Sequence, residues 1–181
     1  MQLEDLHHVV AAAAQVVGES EFVIVGSQAI LGSYPDAPAA LLRSQEADLY
    51  PRHAPDKAIT IEGALGDGSP FQQTFGYYAH AAGPETAKAP TGWEERLVVI
   101  EIPTRPANDV RAVAFCLEPH DLVLAKLAAN RERDWDFAKE ALNARLVDPA
   151  VLLDRVDDLP VHAHLIKLIR TSLETLSQTR H

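Results

Sequence analysis

Two acidic residues, Glu46 and Asp48, stand two positions apart in a segment that alternates apolar and polar residues. This alternation predicts a short strand within residues 44–51. Side chains two apart on a strand project to the same side, so the two carboxylates share one face. Mg²⁺ prefers carboxylates, waters and substrate phosphates as ligands, and Mn²⁺ accepts the same donors. The pair therefore predicts a site for Mg²⁺ or Mn²⁺.

Two other features match this chemistry. Gly26-Ser27 follows the apolar run 22–25, which predicts a buried strand, and helical character resumes at Gln28. A helix beginning there would present its N-terminal amides to a phosphate. Glu101, inside the apolar strand predicted for residues 97–102, would add a third carboxylate if its strand lay beside the first two. Together these parts predict metal-assisted phosphoryl or nucleotidyl transfer.

Each part also has a purely structural interpretation. A Gly-Ser pair after a strand is commonly a tight turn followed by a helix N-cap. A Glu-x-Asp strand is commonly the solvated face of a sheet. The order of the first two features along one chain, together with the helix that carries Lys126, favours a common fold that brings them together and leaves activity open.

The remaining pattern places strands first and helices last, which predicts an α+β fold with a helical C-terminal half. An amphipathic helix over residues 3–17 ends at Gly18. We expect an α/β core over residues 1–117 and a helical region over 118–181 that packs on it. Further helices are predicted at 56–65, 118–129, 133–146, from Pro149 and at 160–176, and further strands at 74–80 and 111–117.

The motif around these acids resembles a known signature. The run from Phe22 to Ser27, followed after eighteen residues (28 to 45) by Glu46-Ala47-Asp48, is similar to that of nucleotidyltransferases with the polymerase-β-type fold. The closer resemblance is to minimal bacterial members related to the AbiEii toxin and to the DUF6036 family. It rests on Arg43-Ser44-x-Glu46-x-Asp48-Leu49 and on the helical segment 121–129, continued by Arg131-x-Arg133-Asp134-x-Asp136-Phe137, and it covers about residues 20 to 142.

The resemblance implies a nucleotidyltransferase-like mixed sheet flanked by helices, and it implies a role for each motif residue. Gly26, Ser27, Arg43 and Ser44 would bind the nucleotide, and Glu46 and Asp48 would hold the metal. Lys126 would approach the triphosphate from its helix and act in catalysis, and Asp134, in the neighbouring family motif, would also belong to the nucleotide site. Glu101 as the third metal ligand and catalytic acid rests only on its place in an apolar strand.

The activity implied is transfer of a nucleotidyl group from an NTP to an RNA or protein hydroxyl, dependent on Mg²⁺ or Mn²⁺. Membership of a toxin–antitoxin pair, with an antitoxin partner, is a further implication. One departure is that the first acid, usually Asp, is Glu46, whose side chain is one methylene longer. The alternative hypothesis is therefore a catalytically impaired protein of this fold that binds a nucleotide or a partner protein.

The helical motif also has competing interpretations. Lys126 could be an exposed helix residue in contact with Leu122 or Asn130 rather than with phosphate. The run from Arg131 to Asp136 could be a salt-bridged helix surface, which contributes little stability.

The charge of the chain limits its partners. It has 181 residues, 26 of them acidic and 16 basic, for a formal net charge of −10. Because phosphate binding needs a basic surface, this balance argues against coating of DNA or RNA. An RNA acceptor would have to be met by a local patch, for which the candidates are Arg43, Lys126, Arg131 and Arg133.

The expected compartment is the cytoplasm. A single cysteine, Cys116, excludes an internal disulfide framework and is predicted to be a buried small hydrophobe. No apolar run approaches the ~18 residues of a membrane span. Glu4 and Asp5 precede the apolar run 9–17, where a secretory signal would carry basic residues.

Overall fold

The computed structural model describes residues 1–103 and 111–178 and confirms the α+β fold. Its strands are β1 (Glu21–Val25), β2 (Glu46–Pro51), β3 (Tyr78–Ala81), β4 (Val98–Ile102) and β5 (Ala112–Cys116). They form one mixed sheet in the order β3-β2-β1-β5-β4. The β1–β2 and β4–β5 pairs are antiparallel, whereas the β1–β5 and β2–β3 pairs are parallel.

Helices flank this sheet and make up the C-terminal half of the chain. The α-helices are α1 (Leu3–Val17), α2 (Ala58–Leu65), α3 (Pro70–Phe75), α4 (Pro119–Ala129), α5 (Glu132–Asn143), α6 (Pro149–Arg155) and α7 (Ala163–Gln178). Short 3₁₀ helices span Ser27–Gly32, Pro55–Lys57, Pro84–Thr86, Trp93–Glu95 and Val156–Asp158. None of the helices in the described ranges is both long and apolar enough to cross a membrane.

The core lies between the sheet and the helices. The apolar positions of α1 recur at helical spacing, and its buried residues include Leu6, Val9 and Ala13. This helix packs against β3, β4 and β5. Burial of each such aliphatic side chain stabilises the fold by about 1.5–3 kcal/mol. Cys116 is fully buried, as predicted, and burial raises the pKa of its thiol to about 12, which excludes a thiolate nucleophile at neutral pH.

One local prediction needs correction. Residues 74 and 75, expected in a strand, close helix α3 instead, because the Ser69 hydroxyl accepts a hydrogen bond from the Gln72 amide and Pro70 suits the first helical position. The strand therefore begins only at Tyr78. The short helix predicted after Gly26 is present as a 3₁₀ helix of six residues.

The N-terminus of α4 is tied to α6 by side chains. The Glu118 carboxylate caps α4 by accepting the amides of His120 and Asp121. The Asp148 amide donates to Nε2 of His120 at 2.8 Å, so this nitrogen is unprotonated and Nδ1 donates to Glu118.

Residues 104–110 of the predicted α/β core and residues 179–181 of the predicted helical region lie outside the described residues.

Candidate active site

A cleft of about 910 Å³ opens between the end of β1, the β2 strand and helices α4 and α5. Its walls include eight of the nine residues that the sequence singles out. These are Gly26, Ser27, Arg43, Ser44, Glu46, Asp48, Lys126 and Asp134. The fold thus brings together residues that are up to 108 positions apart in the chain (134 − 26).

Gly26 and Asp48 are packed directly against each other. Gly26 has φ +67° and ψ −170°, a conformation that is essentially restricted to glycine. A Cβ at this position would lie 1.9 Å from Oδ2 of Asp48. The absence of a side chain at Gly26 therefore leaves the space that the Asp48 carboxylate occupies.

The Asp48 carboxylate carries a charge that the protein compensates poorly. Burial, and then repulsion from Glu46, raises its pKa from 3.8 to about 6, although Lys126, His80 and Arg131 act in the opposite direction. Among the described residues, none donates a hydrogen bond to this carboxylate. A half-buried carboxylate without a hydrogen-bond donor, beside a second carboxylate, is an arrangement that a bound cation would stabilise.

Glu46 is held from the neighbouring strand and by the preceding turn. The Tyr78 hydroxyl donates to Oε2 of Glu46 at 3.1 Å, and the two residues are paired in the β2–β3 register. The Glu46 amide donates to the Ser44 hydroxyl at 3.1 Å, which shapes the start of β2. Gln28 in turn donates to the Ser44 carbonyl at 3.0 Å.

Lys126 and Asp134 face β2 from the helical side. The Lys126 amine lies 3.7 Å from Oδ1 of Asp134, and its side chain is only 15% exposed. Burial lowers the pKa of Lys126, whereas the carboxylates of Asp134 and Asp48 act to raise it. Arg131 donates to Oδ2 of Asp134 at 2.6 Å, so a single buried carboxylate holds two cations at the cleft.

These contacts exclude one alternative for the helical motif. Lys126 is not an exposed helix residue but a largely buried cation directed to Asp134 and Phe137. Asp134 is buried, whereas Asp136 is 67% exposed and pairs with Lys139 as an ordinary surface ion pair. Both acids line the cleft, Asp134 as a buried residue and Asp136 as an exposed one.

Glu101 does not belong to the cleft, and the prediction of a third carboxylate there is corrected. Strands β1 and β5 separate its strand, β4, from β2, which is about 14 Å at the usual strand spacing. Its register partner is Val113, which pairs with Glu21, at the end of the sheet opposite Asp48. No set of three or more His, Cys, Asp or Glu suited to a metal occurs within residues 1–103 and 111–178.

Two residues near the acid pair were not predicted as site residues from the sequence. Tyr78 and His80 lie on β3 opposite Glu46 and Asp48, and His80 lines the cleft with its Nδ1 2.9 Å from a carboxylate oxygen of Glu62. Their alternation with Ala79 and Ala81 was a usable signal for a half-buried strand. Only the register, however, identifies which acids they face.

The two carboxylates suit a magnesium ion whose remaining ligands come from water and substrate. Mg²⁺ is usually bound through one or two carboxylates, with waters and substrate phosphates filling the other positions. Glu46 and Asp48 supply two carboxylates on one face, and the space beside Gly26 admits the second of them. The described residues thus suit a metal that arrives with a nucleotide rather than one enclosed by protein ligands.

The cleft thus combines an apolar strand followed by Gly26-Ser27, a neighbouring strand with paired acids and a largely buried lysine on a facing helix. The chain matches a family described as "Nucleotidyltransferase of unknown function (DUF6036)" over residues 4–167, and it belongs to this family. No curated protein and no solved structure matches it.

Substitution of Gly26 by alanine is expected to destabilise the protein by about 3 kcal/mol or more. Backbone strain in this conformation contributes about 1–3 kcal/mol, and the new methyl group must also displace the Asp48 carboxylate. Urea unfolding measures the loss, and Gly76→Ala is the matched control. Gly76 also has a positive φ of 79°, but nothing lies within 4 Å of the position that a methyl group would take there. Equal losses for the two variants would contradict the role of Gly26.

Proposed function

We propose that this protein is a Mg²⁺-dependent nucleotidyltransferase that transfers a nucleotidyl group from an NTP to a hydroxyl of RNA or protein. One observation carries the proposal. The carboxylates of Glu46 and Asp48 share a cleft with the buried Lys126 amine, close enough for Asp48 and Lys126 to influence each other's pKa.

Each residue then has a defined part. Glu46 and Asp48 hold the metal, which when bound supplies positive charge at the phosphates and orients them. Lys126 contributes a cation to the triphosphate, and Asp134 keeps Lys126 and Arg131 in place. Ser27 lies at the glycine turn beside Asp48, where its hydroxyl can donate to a phosphate oxygen.

The reaction is a substitution at the α-phosphorus. The acceptor hydroxyl oxygen forms a bond to this phosphorus, the bond to the bridging oxygen breaks, and pyrophosphate leaves with the electron pair. The hydroxyl proton passes to solvent or to a base in the cleft. Positioning and charge stabilisation provide most of the acceleration in phosphoryl transfer, and both are what these residues supply.

The acceptor must approach past exposed cations. Arg43, Arg131 and Arg133 line the cleft and are exposed, in a chain whose formal net charge is −10. This local concentration favours a phosphate-bearing or acidic acceptor at the cleft over binding along the whole surface. Transfer to a cellular RNA or protein would fit the toxin–antitoxin role that the AbiEii-like resemblance implies.

The test is label transfer from each of the four NTPs. Protein is incubated with Mg²⁺, cell extract and NTP labelled at the α-phosphorus, and transfer to RNA or protein is expected for the wild type. An NTP labelled at the γ-phosphorus should leave the acceptor unlabelled, because pyrophosphate departs. Lys126→Met should reduce transfer by more than tenfold, since a buried cation at the phosphates is lost. Transfer by the wild type no greater than by Asp48→Asn, for every NTP, would overturn the proposal.

The second candidate is a nucleotide-binding scaffold without activity. The longer Glu46 side chain favours it, and so does the absence, within residues 1–103 and 111–178, of any cluster of three acids, histidines or cysteines suited to a metal. Calorimetry separates the candidates. The enzyme requires Mg²⁺ for tight NTP binding, whereas a scaffold would bind NTP equally well with a chelator present and transfer no label.

A further inference from the structure

We infer that Tyr78 is a positioning residue for the metal site, holding the carboxylate of Glu46 where a shorter aspartate would need no support. The inference rests on the proposed function, because it concerns the metal that the paired acids would bind. It assigns a role to a residue outside the acidic motif.

The contact follows from sheet geometry. Glu46 begins β2, and Tyr78, which begins β3, is its direct register partner. Partners on neighbouring strands direct their side chains to the same face, so the phenol lies alongside the glutamate. Its hydroxyl donates to Oε2 of Glu46 at 3.1 Å, which leaves Oε1 without this contact and available to a metal.

The extra methylene of glutamate creates the need for such a contact. It adds a rotatable bond, and with it a range of carboxylate positions, whereas Mg²⁺ requires a nearly ideal octahedral arrangement. One hydrogen bond from a rigid phenol restricts this range before the metal arrives. Outer partners of this kind orient metal-binding carboxylates, and their loss typically weakens metal affinity by about 10–100-fold.

The phenol is the donor in this contact. A tyrosine hydroxyl carries its proton at physiological pH and can donate it, whereas an ionised carboxylate can only accept. The direction of the hydrogen bond, from tyrosine to carboxylate, is thus fixed.

The test is the affinity for Mn²⁺, used as a paramagnetic probe and measured by electron paramagnetic resonance without nucleotide. We expect Tyr78→Phe to raise the Kd for Mn²⁺ by about tenfold, at the lower end of the range for outer partners. Tyr77→Phe is the matched control. This neighbouring tyrosine also loses a hydroxyl contact, at 2.8 Å to His8 on α1, but away from the acids.

A double-mutant cycle adds the decisive comparison. In Glu46→Asp the carboxylate withdraws from the phenol by about one carbon–carbon bond, ~1.5 Å, so Tyr78→Phe should change the Kd by less than twofold in that background. Thermal melting of each variant reports whether it is folded.

Three results would overturn the inference. They are an unchanged Kd in Tyr78→Phe, an equal rise in Tyr77→Phe, and a full tenfold effect that persists beside Glu46→Asp. Failure of the proposed function looks different, because wild-type protein would then bind no Mn²⁺ at all or bind it without transferring label.

Discussion

Asp48→Asn is expected to abolish nucleotidyl transfer and, at the same time, to make the folded protein more stable at neutral pH. The carboxylate is a proposed metal ligand, so its loss should reduce transfer by at least about a thousandfold, a loss of about 4 kcal/mol of transition-state stabilisation. The same carboxylate, when ionised, lowers the free energy of unfolding, because burial and Glu46 raise its pKa from 3.8 to about 6. At 1.36 kcal/mol for each pKa unit, its removal should stabilise the protein by about 2–3 kcal/mol.

The pH dependence of this gain has a definite sign. Between pH 3.8 and about 6 the folded state binds more protons at Asp48 than the unfolded state does. The free energy of unfolding of the wild type therefore falls as the pH rises through this window, whereas that of Asp48→Asn lacks this fall. The difference between the two proteins should be small at pH 4 and complete above pH 7.

Urea unfolding with and without Mg²⁺ measures both parts of this prediction. Saturating Mg²⁺ should stabilise the wild type and leave Asp48→Asn unchanged, because only the folded wild type binds it. Asp154→Asn, an exposed carboxylate on α6, is the control and should change stability by less than about 0.5 kcal/mol. A destabilised Asp48→Asn at pH 8 would show that the carboxylate is paired in the folded protein, contrary to the structure.

Asp121→Ala is expected to destabilise the protein by about 3–5 kcal/mol, the usual cost of removing one partner of a buried ion pair. Asp121 is fully buried, and Arg96 contacts both of its oxygens, at 2.7 and 3.2 Å. Arg155 donates to the same carboxylate at 3.0 Å. Without Asp121, two partly buried guanidinium groups would lie close together, and Glu118 is the one carboxylate of the described ranges that would still contact either of them.

The comparison variant for this prediction is Asp136→Ala. It breaks an exposed ion pair with Lys139, 3.6 Å long, and should cost less than about 1 kcal/mol. Urea unfolding compares the two variants. A similarly small loss of unfolding free energy in both variants would mean that the contacts of Asp121 with Arg96 and Arg155 contribute little to stability. Because Asp121 lies on the helix that carries Lys126, we also expect Asp121→Ala to weaken transfer.

The same helix shows what sequence motifs can and cannot convey. The motif from Asp121 to Phe137 is identifiable as a unit, and both Lys126 and Asp134 were singled out from it. Their contact was not predictable, because it depends on how α4 ends. Asn130 adopts a left-handed conformation with φ 55°, and the chain turns into α5 so that Asp134 meets Lys126.

The strands also contain one feature that the sequence predicted and others that it did not. The alternation of residues 46–51 predicted correctly that Glu46 and Asp48 share a face, since this depends only on the two-residue period of a strand. Glu101 was misplaced because nothing in its own strand specifies that β1 and β5 intervene. Tyr78 was missed because its importance arises from the residue opposite, 32 positions away.

By itself, the sequence therefore determined the local elements, the α+β class and the family, all of which depend on short-range patterns and motif spacing. The tertiary structure alone decided which acids share the cleft, which cations face them and which tyrosine holds Glu46. The physical reason is that strand order, register and helix packing are set by burial summed over the whole chain, and no single segment contains that information.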